Sequence, residues 1–322
     1  MPSVQNFDRL YPMNKPLAKS LAYLSSREAL AAVAVEPYWP KWDSPWWHMS
    51  LLFELGLAEL IPRPLTAAMV AALNSHYLRF FPFREREVPA GKNPVTHVMC
   101  HCALGNICQI LAAAGVDVEA DVSWARPWFA RYQLPDGGLN CDEAAYTKAN
   151  PKSSLVSTVP ALEYMVAGPL SEPDREFLRA GFAYLARHRL VRSTGGALLD
   201  PEWMRVCFPR FYFLDILRAL SVLLAIADRL ELTVPAHAVA EAVGQLETKF
   251  PDGRVHVERQ AFRGVMTRTA ASGFSERAPA SEFALLACVS EPGSYNEALT
   301  AHWRRCRELM ATLARRSLLT LP

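Results

Sequence analysis

The run Arg131-Tyr132-Gln133-Leu134-Pro135-Asp136-Gly137-Gly138-Leu139-Asn140-Cys141 contains a glycine turn whose second glycine stands 13 residues before Pro151. The same interval separates the second glycine of Thr194-Gly195-Gly196 from Pro209. Ala90-Gly91 and Pro251-Asp252-Gly253 hold corresponding places before Pro94 and Pro279, at other spacings. With Pro45, these prolines mark five units separated by 49, 57, 58 and 70 residues, each interval long enough for two helices and two connections. Proline suits a first helical turn because its fixed φ matches a helix and its missing N–H has no partner there. Ser44, Asn93 and Asn150, directly before three of them, are N-cap residue types.

Apolar residues recur at three- and four-residue intervals in Leu51–Leu60, Leu104–Ala114, Phe177–Leu190 and Ile216–Leu230, and strand alternation is almost absent. The class expected is all-α. A helix pair cannot bury its apolar face alone, so successive pairs stack, as an open solenoid or a closed ring. Five near-equivalent pairs favour closure into an α/α toroid of five to six helical hairpins, with the first helix of each pair inside and the second outside. The chain is expected to form one domain over 1–322, with 1–40 an N-terminal arm and helix packed outside the ring.

Of the 322 residues, 51% are hydrophobic and 20% charged, and 34 basic against 32 acidic side chains leave a net charge of +2. This balance excludes general disorder and leaves no basic footprint for nucleic acid. Ile216–Leu230 is interrupted by Arg218 and Asp228 and falls short of the ~20 apolar residues of a membrane span. Residues 1–21 lack the apolar core of an export signal, so a cytoplasmic location is expected. Seven irregularly spaced cysteines read as reduced thiols. Cys100, Cys102 and Cys108 are close enough to allow metal binding, although no C-x-x-C pair is present.

The turn at 131–141 resembles the Q-x-x-D-G-G-W turn of the α/α-toroid superfamily, which includes squalene and oxidosqualene cyclases and protein prenyltransferase β subunits. Arg187-His188-Arg189-Leu190 and Phe208–Arg218 are similar to uncharacterised bacterial members of that superfamily. The resemblance implies a toroid and an isoprenoid-related activity. Leu139 stands in place of the tryptophan, and the acidic D-x-D-D motif of class II terpene cyclases is missing. Asn140-Cys141-Asp142 has the residue types of the prenyltransferase zinc pair in the wrong order and spacing. Cys100-His101 resembles the adjacent Cys-His ligands of zinc-dependent peptide cyclases, whose other motifs are missing.

If each proline starts an inner helix, residues three positions on share a direction: His48, His97, Ser154, Tyr212 and Glu282. One turn further stand Cys100 and His101, Ser157 and Thr158, and Asp215. A central funnel with a polar mouth and an apolar floor follows, walled by Trp46, Trp47, Phe211 and Tyr212, and suited to a small apolar molecule. The bland alternative is capping, since first turns favour polar residues. His97 and His101 lie on one helix face, and His48 and Glu282 would complete a four-ligand set for zinc or non-haem iron. Without metal, the histidines would act as general acid and base. Asp215 reads as a catalytic acid or as the buried partner of Arg210 or Arg218. Cys141 reads as a cavity-mouth residue, a nucleophile or a buried structural thiol. The basic run His302–Arg307 reads as a solvated outer face.

The leading expectation is thus an enzyme acting on a small, largely apolar substrate in the central cavity, through a metal or acid/base site of His48, His97, His101, Glu282 and Asp215. Trp47, Ser154, Phe211, Tyr212 and Cys141 would bind the substrate. One alternative is an isoprenoid-diphosphate transferase or cyclase. The other is a non-catalytic toroid that binds a ligand or a protein partner and is plugged by Trp46, Trp47 and Phe211.

Overall fold

The computed structural model describes residues 14–320. The start of the expected N-terminal arm, residues 1–13, lies outside the described residues. Among the described residues thirteen α-helices run in the order α1 (Asn14–Leu24), α2 (Arg27–Val35), α3 (Pro45–Glu54), α4 (Arg63–Ser75), α5 (His101–Ala113), α6 (Val118–Asp121), α7 (Ala125–Tyr132), α8 (Leu155–Ala167), α9 (Glu172–Arg187), α10 (Ile216–Leu230), α11 (Ala236–Lys249), α12 (Ala284–Val289) and α13 (Glu297–Arg315). The described strands are one antiparallel hairpin of β1 (Met266–Arg268) and β2 (Arg277–Pro279).

The fold is all-α, and its helices pack in series in the order expected of an α/α toroid. α1 packs on α3, α3 on α5, α5 on α8, α8 on α10 and α10 on α13, while α12 lies against α1. The outer helices lean on this series: α2 on α4, α7 on α5 and α9, and α9 on α8, α10 and α11. α1 packs on α2, α3 and α12, and α2 on α3 and α4.

Side-chain caps open α2, α6, α8, α9, α10 and α13, and the marker prolines open fewer helices than their spacing predicts. Pro45 does open α3. Pro94, Pro151, Pro209 and Pro279 all precede their helices, and Pro279 lies in β2. Asn93 begins a turn whose carbonyl accepts from the N–H groups of Thr96 and His97, a use of Asn-Pro equally compatible with proline's φ. The Ser154 hydroxyl caps α8 and the Asp215 carboxylate caps α10, accepting from the Arg218 N–H at 2.8 Å. Residues at equal offsets from the prolines therefore do not share a direction.

α13 turns Trp303, Cys306, Met310 and Leu313 inward, towards α10, and leaves Arg304, Arg305 and Arg307 exposed. Its outer face carries the basic run, but the His302 ring points inward to the Ser221 hydroxyl of α10.

The most extensive helix contact, α5 with α8, depends on Gly105, where a Cβ would meet the backbone carbonyl carbon and oxygen of Pro160 at 2.5 Å. The glycine turn at 136–138 is as confined. Gly137 has φ +93°, open to glycine and strained for other residues, and its Cβ would stand 2.3 Å from the Ala180 carbonyl oxygen of α9. A Cβ on Gly138 would stand 2.6 Å from that of Ser153. The Gln133 amide donates to the carbonyls of Gly137 and Phe177, and the Asp136 carboxylate accepts from the Ser153 N–H at 2.9 Å. One turn thus ties α7, α8 and α9 together.

Gly196, at φ +90°, has nothing within 4 Å of where its Cβ would be. Gly196→Ala is expected to lower unfolding free energy by about 1 kcal/mol, from backbone strain alone. Gly137→Ala, with the steric clash added, is expected to lose about 3 kcal/mol or more in urea denaturation. Equal losses for the two would show that the turn does not clamp the helices.

Candidate functional site

Gly105 and the glycine turn together place three sulfurs side by side. Cys100 is the N-cap residue of α5, Cys102 lies in its first turn, and Cys141 follows the turn that leads to α8. The Cys100 and Cys102 sulfurs are 3.5 Å apart, and those of Cys102 and Cys141 are 3.6 Å apart. The backbone around Cys141 is held to α8: the Leu139 N–H donates to the Thr158 hydroxyl, and the Cys141 N–H to that of Ser157, both at 2.9 Å. Hydrogen bonds with Cys100 and Cys102 hold the Cys141 thiol well below its ordinary range, outweighing burial, with smaller contributions from His101 and Ser157. Hydrogen bonds with Cys100 and Cys141, together with burial, push Cys102 well up.

Lys41 lies beside this group. Its Nζ donates to the Tyr212 hydroxyl at 2.7 Å and sits 4.7 Å from the centre of that ring, with Trp39 and Tyr38 at 5.3 and 5.8 Å. Burial lowers its pKa, and the nearby Cys100 and Cys102 oppose that shift. Burial pushes the Tyr38 and Tyr212 hydroxyls upward, so both remain protonated.

The four ligands expected from the proline register do not converge. Among the described residues, the one group of three or more histidine, cysteine or acidic side chains with ligand atoms within 4.8 Å of one another is Cys100, Cys102 and Cys141. His48 stacks on Phe283 with ring centres 3.7 Å apart, and its Nδ1 meets the Ser20 hydroxyl. His97 Nδ1 accepts from the Asn93 N–H, and its ring lies 4.5 Å from that of His76. Glu282 pairs with Arg263 at 3.7 Å, beside the hairpin.

His101 is fully buried, and both its nitrogens are engaged. The Trp128 indole, which can only donate, gives its hydrogen to Nδ1 at 2.9 Å, which leaves the proton on Nε2, directed at the Tyr146 hydroxyl. No lone pair remains for a metal. Burial lowers the pKa of both His48 and His101 to about 4, so both are neutral at pH 7.

Asp215 is the α10 cap and also accepts from the Cys207 N–H at 3.1 Å, so it has a structural role. Ser154 is likewise a cap. Cys141 and Tyr212 do meet at the thiol group. Lys41 was not among the residues read from sequence, and Cys100 and Cys102 were read as close enough to allow metal binding with Cys108 rather than with Cys141. The C-x-C spacing was visible, as was a cysteine next to the glycine turn; their convergence depends on the packing of α5 on α8.

The ring interior departs from an open funnel. Arg218 of α10 donates to both carboxylate oxygens of Glu163 on α8, at 2.9 and 2.7 Å, and to the Phe211 and Phe213 carbonyls. Gln109 of α5 reaches the same carboxylate, and Ser50 of α3 donates to Asn106 of α5 at 3.0 Å. Glu54 accepts from the N–H groups of Arg210 and Phe211. Above this network Trp42 stacks on Phe211, with ring centres 4.9 Å apart, and packs edge-on to Trp47. Trp42 and Phe211 both hold positive φ, 69° and 50°, which packing on all sides sustains. Trp46, Trp47 and Phe211 are each 1% exposed, and so belong to a packed plug.

No protein-family model matches the chain, and no curated protein sequence matches it. Two solved structures are similar in part, both of aspartate variants of the type II terpene cyclase MstE from Scytonema. One holds geranylgeranyl dihydroxybenzoate as substrate and the other merosterolic acid A as product. Each is 14% identical over 96% of this chain and 100% of that chain, with TM-scores of 0.27 and 0.26, too slight a likeness to transfer residues or chemistry. Among the described residues no helix is long and apolar enough to cross a membrane.

His48 supplies a pH signature. Its folded pKa of about 4 lies below the ordinary 6.5, so the stability it contributes is complete above pH 6.5 and is lost as pH falls towards 4. The ceiling is on the order of 3 kcal/mol. Unfolding free energy measured between pH 7 and 4 is expected to fall less steeply in His48→Gln than in the parent, whatever the variant's stability at pH 7. An unchanged slope would remove the buried neutral imidazole.

Proposed function

We propose that the chain is an enzyme that holds one zinc ion on Cys100, Cys102 and Cys141 and acts on a thiol group of a small, largely apolar substrate. The single observation that carries this reading is the spacing of the sulfurs. Zinc–sulfur bonds of ~2.3 Å at a tetrahedral angle put neighbouring sulfurs ~3.8 Å apart. The Cys100–Cys102 and Cys102–Cys141 separations of 3.5 and 3.6 Å need only a few tenths of an ångström of adjustment. Three soft thiolate donors favour zinc over the non-haem iron that a histidine and carboxylate set would suit.

Three protein ligands leave a fourth position, the pattern of a catalytic rather than a structural site. Zinc bound here supplies a site at which a substrate thiol is held as thiolate at neutral pH. The protein's part is to keep the group dry and to compensate charge. Lys41, held by Tyr212 and the rings of Tyr38 and Trp39, places an ammonium beside a centre whose three thiolates give a bound divalent ion a net charge of −1. Tyr212 and Tyr38, both protonated, add hydroxyl donors beside it.

A second reading is favoured by the packed plug: a non-catalytic toroid in which the ion is structural. The isoprenoid-diphosphate alternative fits less well, since the interior is bridged by Glu163–Arg218 and filled by Trp42, Trp47 and Phe211.

Elemental analysis is expected to find about one zinc per chain, lost in Cys102→Ser and Cys141→Ser and kept in Cys108→Ser. In protein loaded with cobalt(II), phenylmethanethiol is expected to increase the sulfur-to-cobalt charge-transfer absorption by about a third, as a fourth thiolate joins three. Absence of metal from the parent protein would overturn the site. Metal without a response to the thiol would overturn the enzyme reading and leave the structural one.

A further inference from the structure

Outside the ring, residues 80–87, the end of α7 and Tyr146 enclose an open cleft of about 530 Å³, lined by Phe80, Phe81, Phe83, Tyr132 and Tyr146 with Arg131 and Glu87. The volume lies within the range of small-molecule sites. Phe83 is 43% exposed, a large apolar ring left in water at the cleft's edge. Its ring is roughly parallel to that of Tyr146, with centres 6.2 Å apart and an interplanar angle of 29°.

Most polar groups of the cleft are engaged by the protein. The Tyr132 hydroxyl accepts from the Phe81 N–H at 2.9 Å. The Tyr146 hydroxyl accepts from the Asn140 N–H and donates to the Tyr132 carbonyl. The Glu87 carboxylate accepts from the N–H groups of Phe83 and Arg84. The Arg131 guanidinium makes no hydrogen bond or ion pair among the described residues; its one described interaction is with the face of Tyr132, 5.4 Å from the ring centre. An exposed guanidinium already held over an aromatic face is oriented for a charge-assisted, bidentate contact with a carboxylate.

We infer that this cleft is a binding site for a planar apolar acid, its rings against Phe83 and Tyr146 and its carboxylate on Arg131. The requirement is charge complementarity: aromatic walls accept any planar apolar body, and the unpaired Arg131 guanidinium selects an anionic end, while the Glu87 carboxylate is tied through one oxygen to the N–H groups of Phe83 and Arg84. The site is independent of the thiol centre and uses none of its residues.

The test is titration of the parent protein with 2-naphthoate, followed by calorimetry, alongside the neutral analogue 2-naphthalenemethanol. Saturable binding of naphthoate with a dissociation constant of ~0.1–1 mM is expected. Arg131→Gln is expected to weaken naphthoate about 5- to 10-fold and to leave the alcohol unchanged, whereas Phe83→Ala weakens both ligands several-fold. Both residues are exposed, so the variants are expected to fold, and circular dichroism checks this. No saturable binding, or equal binding of naphthoate by Arg131→Gln and parent, would overturn the assignment. Because zinc content does not enter, failure here and failure of the thiol centre are told apart.

Discussion

The anchoring of the Asp136-Gly137-Gly138 turn between two helices is the constraint on which the rest of the molecule depends. A side chain at either glycine would collide with α9 or with Ser153 just before α8. The Asp136 carboxylate and the Gln133 amide then fix the turn to both neighbours. Three residues later the chain has little freedom left, and Cys141 is delivered to the first turn of α8 with its N–H on Ser157. On the other side, Gly105 brings α5 onto the backbone of α8. Two close approaches made through glycine therefore decide where three sulfurs meet.

Much of the fold was legible because its signals are local. Helical periodicity, glycine turns and capping side chains act over a few residues, and a repeat of such units leaves few ways to bury their apolar faces other than stacking. The site was less legible because it rested on a register. Proline's φ suits a helix start and a turn alike, so Pro94, Pro209 and Pro279 mark turns, extended segments or a strand as readily as helices. The true starts were written in Ser154 and Asp215, good caps by type, which were read as funnel residues. Asp215 had a structural alternative from the outset; its role follows once its carboxylate is seen on the Arg218 and Cys207 N–H groups.

The thiol group illustrates why long-range convergence resists reading. Cys102 and Cys141 are separated by 39 residues, and α6 and α7 lie between them. Cys108 looked closer in sequence, yet it lies further along α5 and is fully buried there. Histidines drew attention because their type suits metals, but His101 is committed as acceptor from Trp128 and donor to Tyr146. A buried histidine needs partners for both nitrogens, and when the protein supplies both, no metal ligand remains.

The polar network of the interior and the spacing of the three sulfurs depend on the same helix packing. Cross-linking α3, α5, α8 and α10 through Ser50–Asn106, Gln109–Glu163 and Glu163–Arg218 gives each inner helix directional contacts with its neighbour. A buried ion pair of this kind contributes little net stability against a well-packed apolar core, while loss of one partner strands a charge. Its use is to fix how the helices are rotated and spaced. Such rigidity is of little help in accommodating a long flexible hydrocarbon, but it is what three sulfurs at 3.5 and 3.6 Å require, since a slip of α5 against α8 by one residue, ~1.5 Å, would open the group. The polar network and the aromatic plug are in this sense the scaffold that holds the three sulfurs together at the ends of α5 and α8.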